Sequence, residues 1–452
     1  MAGMYQYDKI IKYWVKATCT KPLHVGSGEG DQGQVLIHPV DGRPFVQAAS
    51  IAGVFREYYV RANGFNEAEM LFGASNQEEG EGRKESRVRI SDGIFSRDGE
   101  KIVLELRPRV KINPVTGVCD SSTVQGSDKK SGQKFEMEYV GAGAQITFFF
   151  YLFDASAEEK LLDVFSAIQQ QQIQFGGQKS NGCGYLQIDR LLCKEFDMTN
   201  EQDRRLWMRE EELGEKNYDD LTAKLEREIK NQNAYEIVVD GRTDGELLVK
   251  SIAVADCGKD APDCTNIQNA KKDYIVPGSS FKGVIRNRME RIADYLQVTE
   301  VIENTFGVAQ SKEEQGKTGN IRFFDTVVGN QKDNDQNRLT HRIHIDKFTG
   351  GVMHRGLFTE KNVYGNVKFR IRILNRNSPD RTCGLLLFAL RDLAVGMVNV
   401  GSGYHVGKGF IQVDRLTVKS GDGRKAEVLF DKNQINDNQG IIRQCMDAVG
   451  RK

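Results

Sequence analysis

Nowhere in the 452 residues do apolar side chains run together for the ~20 positions that a membrane-spanning helix requires. The opening MAGMYQYDKIIKYW lacks the apolar core of a secretion signal. A cytoplasmic protein with no membrane partner is the expectation. Charge of one sign is also missing, because 63 Lys and Arg balance 63 Asp and Glu. Any nucleic-acid surface must therefore be built from local basic patches. Proline is scarce at 8 residues, whereas glycine is plentiful at 46. That ratio points to many tight turns or to backbone closely approaching a ligand. None of the eight cysteines forms a C-x-x-C pair, and the nearest two, Cys257 and Cys264, have no histidine beside them. Scattered reduced thiols fit a cytosolic chain better than a disulfide framework or a zinc site. No G-x-x-x-x-G-K-[ST] phosphate loop occurs.

What the sequence does contain, it contains twice. PFVQAASIAGVFREYY (44–59) and YIVPGSSFKGVIRNRM (274–289) share a short strand, a small-residue turn and a helix start. FGGQKSNGCGYLQIDRL (175–191) and NVGSGYHVGKGFIQVDRL (399–416) share a glycine-rich loop running into a strand. Between them lie Leu71–Gly73 and Thr305–Gly307, then strands ending in acidic turns at Arg87–Asp92 and Asn320–Asp325. Ordered landmarks at matching spacing predict a tandem duplication. The expected division is 1–194, a charged helical linker at 195–231, and 232–452. Twelve acidic and seven basic residues between 195 and 230 suggest a solvated spacer with an apolar stripe at Leu206, Leu213, Leu221 and Leu225.

Ile51, Val54, Phe55 and Tyr58 are spaced as one face of a helix, as are Phe281, Val284, Ile285, Met289 and Ile292. Second helices are predicted over 157–169 and 384–396, with strands over 13–23 and 145–153. Strand–helix–strand–strand–helix–strand is the ferredoxin-like order of an α+β domain. Insertions interrupt it at 74–86, 107–135 and 327–362.

Several motifs carry cations suited to phosphate. Gly278 permits a sharp turn, Ser279 and Ser280 open a helix with Ser280 as its N-cap, and Lys282 and Arg286 lie on one helical face. A capped helix with two solvated cations explains the same residues. In the first copy Gln47, Ala48, Ala49 and Ser50 replace the turn, Ala52 replaces the lysine, and Arg56 remains. Lys179 and Lys408 stand among glycines that let backbone N–H groups approach phosphate, although a tight turn accounts for them equally. HRIHIDKFTGGV (341–352) and RPRVKINPVTGV (107–118) place Arg342 and Arg109 in basic hairpins. Loop acids at Glu29, Asp31, Asp256, Asp260 and Asp263 can hold a cation or simply be solvated. His341 and His344 would face opposite sides of a strand, against joint metal ligation.

Taken together, these motifs resemble the RAMP superfamily, and more narrowly the backbone subunits of type III CRISPR effector complexes. The second copy matches at Pro277–Arg286, Phe306–Gly307, Arg342–Phe358 and Gly401–Gly409. The first matches at Leu23–Gly28, Arg56, Leu71–Gly73, Arg107–Gly117 and Phe175–Gly184, and departs at Gln47–Ala49 and Ala52. Two fused units look like the fused subunits of III-D-type complexes.

The resemblance implies two tandem ferredoxin-like, RNA-recognition-type RAMP domains with inserted thumb hairpins, here near 107–135 and 340–360. It implies guide RNA held by Arg56, Lys179, Ser279, Ser280, Lys282, Arg286, Lys408, Arg109 and Arg342. Complementary target RNA and other effector subunits would be the further partners. Met353 or Phe358 would wedge a base step. Asp31 and Asp263 would be catalytic and would bind Mg²⁺ or Mn²⁺, with Asp260 and Asp256 as nearby alternatives in the second copy. A non-catalytic guide-binding scaffold is one alternative. A metal-independent guide-processing ribonuclease using His24, His38 or His405 is another.

Overall fold

The computed structural model describes residues 7–26, 33–74, 85–96, 102–110, 112–113, 121–123, 130–132, 134–251, 262–308, 316–329 and 339–450. Asp31, Asp256 and Asp260 lie outside them. The chain divides into two compact units. The first comprises Met1–Glu105, Glu138–Lys179 and Cys183–Lys230, and the second Leu106–Met137, Ser180–Gly182 and Asn231–Lys452. Among the described residues no helix is long and apolar enough to cross a membrane.

In the first unit β1 (Lys9–Cys19) leads to α1 (Ala48–Asn63), then to β2 (Val88–Ile90) and β3 (Gly93–Phe95). A hairpin of β4 (Leu104–Val110) and β5 (Lys134–Val140), of which Leu106–Met137 belongs to the second unit, follows in the chain, then β6 (Gln145–Leu152), α2 (Glu158–Gln169) and β7 (Leu186–Asp197) of the first. A two-residue strand, β8 (Asp219–Asp220), adds to the outer edge of β7. Strand β1 lies between β7 and β6, and β6 carries β2 and β3 on its far side, all antiparallel. That is the ferredoxin-like order. Ile51, Phe55 and Tyr58 of α1 are buried as their spacing predicts, in a core with Tyr13, Val15, Phe148 and Phe150.

The second unit repeats the plan. It runs through β9 (Asn233–Asp244), α3 (Gly278–Leu296), β10 (Ile321–Phe323) and a hairpin of β11 (Leu339–Ile345) and β12 (Val352–Lys361). Then come β13 (Asn366–Leu374), α4 (Pro379–Ala394) and β14 (Phe410–Ser420). Its sheet order is β10–β13–β9–β14, extended by Lys425–Leu429 and Gln434–Asn436. Phe281, Ile285 and Met289 of α3 pack into a separate core with Ile237, Val239, Phe369 and Ile371.

The duplication reaches single residues. The β1–β7 register slips between Lys16 and Ala17, leaving Asp189 unpaired. The β9–β14 register slips between Asp240 and Gly241, leaving Asp414 unpaired. Each bulge falls in the shared D-R-L segment and changes which residues face inward. Leu186 and Ile188 are buried before the first bulge, and Leu191 and Cys193 after it. Ile411 and Val413 precede the second, and Leu416 and Val418 follow it.

The segment expected to be a solvated helical linker differs from that reading. Only Glu201–Trp207 is α-helical, and residues through Lys230 belong to the first unit. Residues 201–220 form a strap over the sheet face opposite the helices, whereas Leu225 joins the helix-side core and Arg227 pairs with Glu159 and Asp163 of α2. Trp207 packs edge-on against Tyr151 and Phe196 at 5.8 and 5.2 Å, and Tyr218 against Trp14 at 5.7 Å. Glu210 pairs with the buried Lys12, Glu215 with Lys16, and Asp220 with Arg190. Of the proposed leucine stripe, Leu225 alone is buried. The physical reason is the exposed row Trp14, Phe149 and Leu192 that the sheet would otherwise leave in water.

Candidate nucleic-acid interface

Both units open their first helix in the same way. Gly278 N–H donates to Asp325 Oδ1 at 2.8 Å, and Ala48 N–H donates to Asp92 Oδ1 at 2.7 Å. These aspartates end the acidic turns noted in the sequence. Ser280 is therefore not the N-cap. Pro277 occupies that position, and Ser280 lies in the first turn with its N–H on Pro277 O at 3.0 Å. Ser50 N–H meets Gln47 O in the same way at 2.9 Å. Among the described residues, no partner is found for the N–H of Ser279 or of Ala49. Each helix thus keeps one first-turn donor for an anion. Gly278 is required where it stands, because a Cβ there would meet Phe323 O at 2.3 Å.

The predicted cations fall into different environments. Lys282 is half-buried and donates to Ser180 Oγ at 3.0 Å inside the second unit. Arg286 is exposed, pairs with Glu290 at 2.7 Å and lies 5.2 Å over the Phe306 ring. Arg56 borders a cavity of ≈ 370 Å³ lined by Ala48, Ala49, Ala52, Gly53 and Phe72. No ion pair is found for Arg56 among the described residues. Lys179 is half-buried, 3.4 Å from Glu57. Arg109, on β4, already has a partner, and Arg342 lies 3.7 Å from Glu360.

Lys408 corrects the sequence reading. Its ammonium is buried and meets Glu246 Oε2 and Glu360 Oε2 at 2.8 Å each and Asn362 Oδ1 at 2.9 Å. A lysine has three donors, and all are committed, so none remains for RNA. Sequence offered no signal, because its carboxylate partners come from the start of the unit and from β12. Burial opposes charge on Glu246, but hydrogen bonds from Lys408 and Thr340 outweigh it and hold its carboxyl below the ordinary value.

The glycine-rich loops are anchored rather than open. Gly177 N–H bonds His24 O at 2.8 Å, and Ser402 N–H bonds Leu248 O at 2.9 Å. Gly184 and Gly409 have φ of +84° and +82°, where a Cβ would strike Phe175 O and Val400 O. His24 is buried with Nδ1 2.8 Å from Glu138 O, and His38 lies 3.4 Å from Asp41. His405 is exposed in a short turn.

The hairpin β11–β12 matches the second thumb expectation. Its tip is an Asp346 turn, whose carboxylate accepts from the N–H groups of Thr349 and Phe348 at 2.8 and 2.9 Å. Those bonds hold the Asp346 carboxyl below the usual range. Phe348, which the sequence reading passed over, is 98% exposed at this tip, whereas Phe358 is half-buried. Met353 is exposed on β12. At the hairpin root, Asp263 Oδ2 accepts from Thr359 N–H at 2.6 Å, and Cys264 pairs with Glu360 as a β-bridge. The first thumb expectation corresponds to β4–β5 and to Ser121–Thr123 paired with Lys130–Gly132.

No group of three or more His, Cys, Asp or Glu able to hold a metal ion is found among the described residues. Asp263 is an exposed single carboxylate with Oδ1 without a partner among them. One such carboxylate suits Mg²⁺, which keeps waters and takes substrate phosphates as ligands. It does not suit a closed zinc site.

A family model described as the RAMP superfamily matches residues 16–187 and 259–412. Among solved structures, the chain is similar to one in "Cryo-EM structure of the Type III-B Cmr-beta bound to cognate target RNA". The identity is 16% and the TM-score 0.32, over 42% of this chain and 62% of that one. This chain therefore spans less than two thirds of that relative's length. No curated protein matches.

Proposed function

The chain belongs to the RAMP superfamily, and from that premise we propose that it is a backbone subunit of a type III CRISPR RNA-guided complex. In this reading it holds guide RNA and cleaves complementary target RNA. Base pairing reads the target, so the protein needs to recognise only backbone and shape. Ser279 N–H and Arg56 are the donors that remain available to phosphate. Arg286, Lys282 and Lys179 contribute after exchanging their present partners.

The observation that carries the cleavage reading is an exposed carboxylate fixed at the root of a hairpin whose tip carries an exposed aromatic ring. Phe348 tops the hairpin, and Asp263 is fixed to its root through Thr359. A wedge that unstacks a target nucleotide frees its 2′-hydroxyl to line up with the adjacent phosphate. Asp263 would hold Mg²⁺ or Mn²⁺ in the second unit, and Asp31 in the first. The metal, when bound, supplies positive charge to the phosphate under attack. The protein's own share is to fix the carboxylate and to keep the nucleotide splayed.

The test is cleavage mapping on the complex assembled with its guide. A labelled complementary RNA is incubated with wild type, Asp31→Ala and Asp263→Ala, in Mg²⁺ and in EDTA. One specific cut should vanish with each substitution, and all cuts with EDTA. Unchanged cuts in both variants would make the chain a guide-binding scaffold. Cleavage of guide precursor in EDTA would instead support a metal-independent processing enzyme.

A further inference from the structure

The two units carry equivalent outer sheet faces, both rich in cations, that differ in what covers them. Aligned on their bulges, Lys12, Trp14 and Lys16 of β1 correspond to Glu236, Val238 and Asp240 of β9. Their neighbours Tyr151, Phe149 and Thr147 on β6 correspond to Arg372, Arg370 and Lys368 on β13. On the other side, Lys194 and Arg190 of β7 correspond to Lys419 and Arg415 of β14. In the first unit this face is covered by the strap. Residues 201–220 of the strap hold eight acidic and four basic residues.

In the second unit the described residues put no comparable segment on the face. Lys368, Arg370, Arg415 and Lys419 are exposed, and Arg372 is half-buried. Glu236 lies 3.3 Å from Arg370 and Asp240 3.5 Å from Lys368, and Arg372 lies over the Phe324 ring. The four exposed cations Lys368, Arg370, Arg415 and Lys419 against these two acids leave an excess of two positive charges on these positions. Lys425 and Glu427 on the next strand pair with each other and leave that excess unchanged.

We propose that the outer face of the second unit's sheet is a docking surface for an acidic peptide segment of a partner protein. Charge complementarity supplies the attraction, and the first unit supplies the precedent for what such a face takes. There, Glu210, Glu215 and Asp220 meet Lys12, Lys16 and Arg190. The face is turned away from α3, whose buried side packs on the opposite side of the sheet with Ile237, Val239 and Phe369. An RNA held at the start of α3 would leave it free. A peptide therefore fits the surface better than a nucleic acid does.

The probe is a fluorescent peptide with the sequence of residues 201–220, measured by anisotropy against the full chain at low and high salt. A second probe is a labelled single-stranded oligouridylate. The variants are Lys368→Gln with Arg370→Gln, and separately Arg415→Glu, all at exposed positions. Thermal unfolding checks that each remains folded. Peptide binding that falls roughly tenfold in either folded variant, and falls with salt, supports the proposal. The same peptide with Gln and Asn at its acidic positions should bind at least as weakly. Peptide binding unchanged by both variants overturns it. So does loss of oligouridylate binding in the variants with no peptide binding to wild type, which would make this an RNA surface.

Discussion

Asp325 accepts the first N–H of the helix at Gly278, as Asp92 accepts that of Ala48. The helix start that looks ready for phosphate already carries a carboxylate in both units. Asp325 Oδ2 also receives Arg107 at 2.7 Å within the second unit. Phosphate approaching Ser279 therefore meets a site whose charge is partly neutralised.

Replacing that cap has a defined cost. Asp325→Ala should destabilise the second unit by about 1 kcal/mol for the lost cap, with more for the buried Arg107 losing this ion pair. Asp92→Ala, which leaves no such arginine, should cost about 1 kcal/mol alone. Shifts of the denaturant midpoint measure both, and equal shifts would discount the Arg107 contribution.

Lys408→Met strands the buried Glu360. The cost should reach about 3–5 kcal/mol, softened by Arg342 and Lys250 at 3.7 and 3.8 Å. Combining it with Glu360→Gln should recover part of that loss. A double variant no more stable than Lys408→Met would argue against a specific pair.

The same cluster predicts acid sensitivity. The Glu246 carboxyl is held below its ordinary 4.5, so the unfolded chain takes up this proton first as pH falls. Its stabilisation is complete above that value and is lost as pH falls through the folded-state value. Glu246→Gln should flatten the stability profile below pH 4.5 relative to wild type. Parallel profiles for the two proteins would contradict the assignment.

Phe348→Ala touches nothing in the folded chain and should change stability by less than about 0.5 kcal/mol. If the tip wedges a base step, target-RNA binding should weaken by about 1–3 kcal/mol and the cut assigned to Asp263 should fade. Titration of labelled target into the guide-loaded complex distinguishes this from an inert loop.

Much of the fold was legible because it rests on local periodicity and on repetition. Phe281, Ile285 and Met289 mark a helix face wherever the chain goes next. The partners of Lys408 and the covering role of Trp207 and Tyr218 were not legible, because each depends on residues distant in sequence. A charged segment such as 201–220 reads as solvated until the aromatic face beneath it is known. Ser280 misled for a different reason: serine suits an N-cap, but Asp325 reaches the same helix start from the turn after β10. Asp263 was singled out by motif order as a candidate, and its tie to Thr359 required the hairpin to be in place.

The bulges at Asp189 and Asp414 set a limit on how either copy can be shortened. Each is a phase slip, and the strand beyond it is packed one residue out of step with the strand before it. Removing the extra aspartate would mend the ladder and turn Leu191 and Cys193, or Leu416 and Val418, outward. The residue that looks spare in the hydrogen-bond pattern is thus the one that lets a single long strand serve the same core along its whole length.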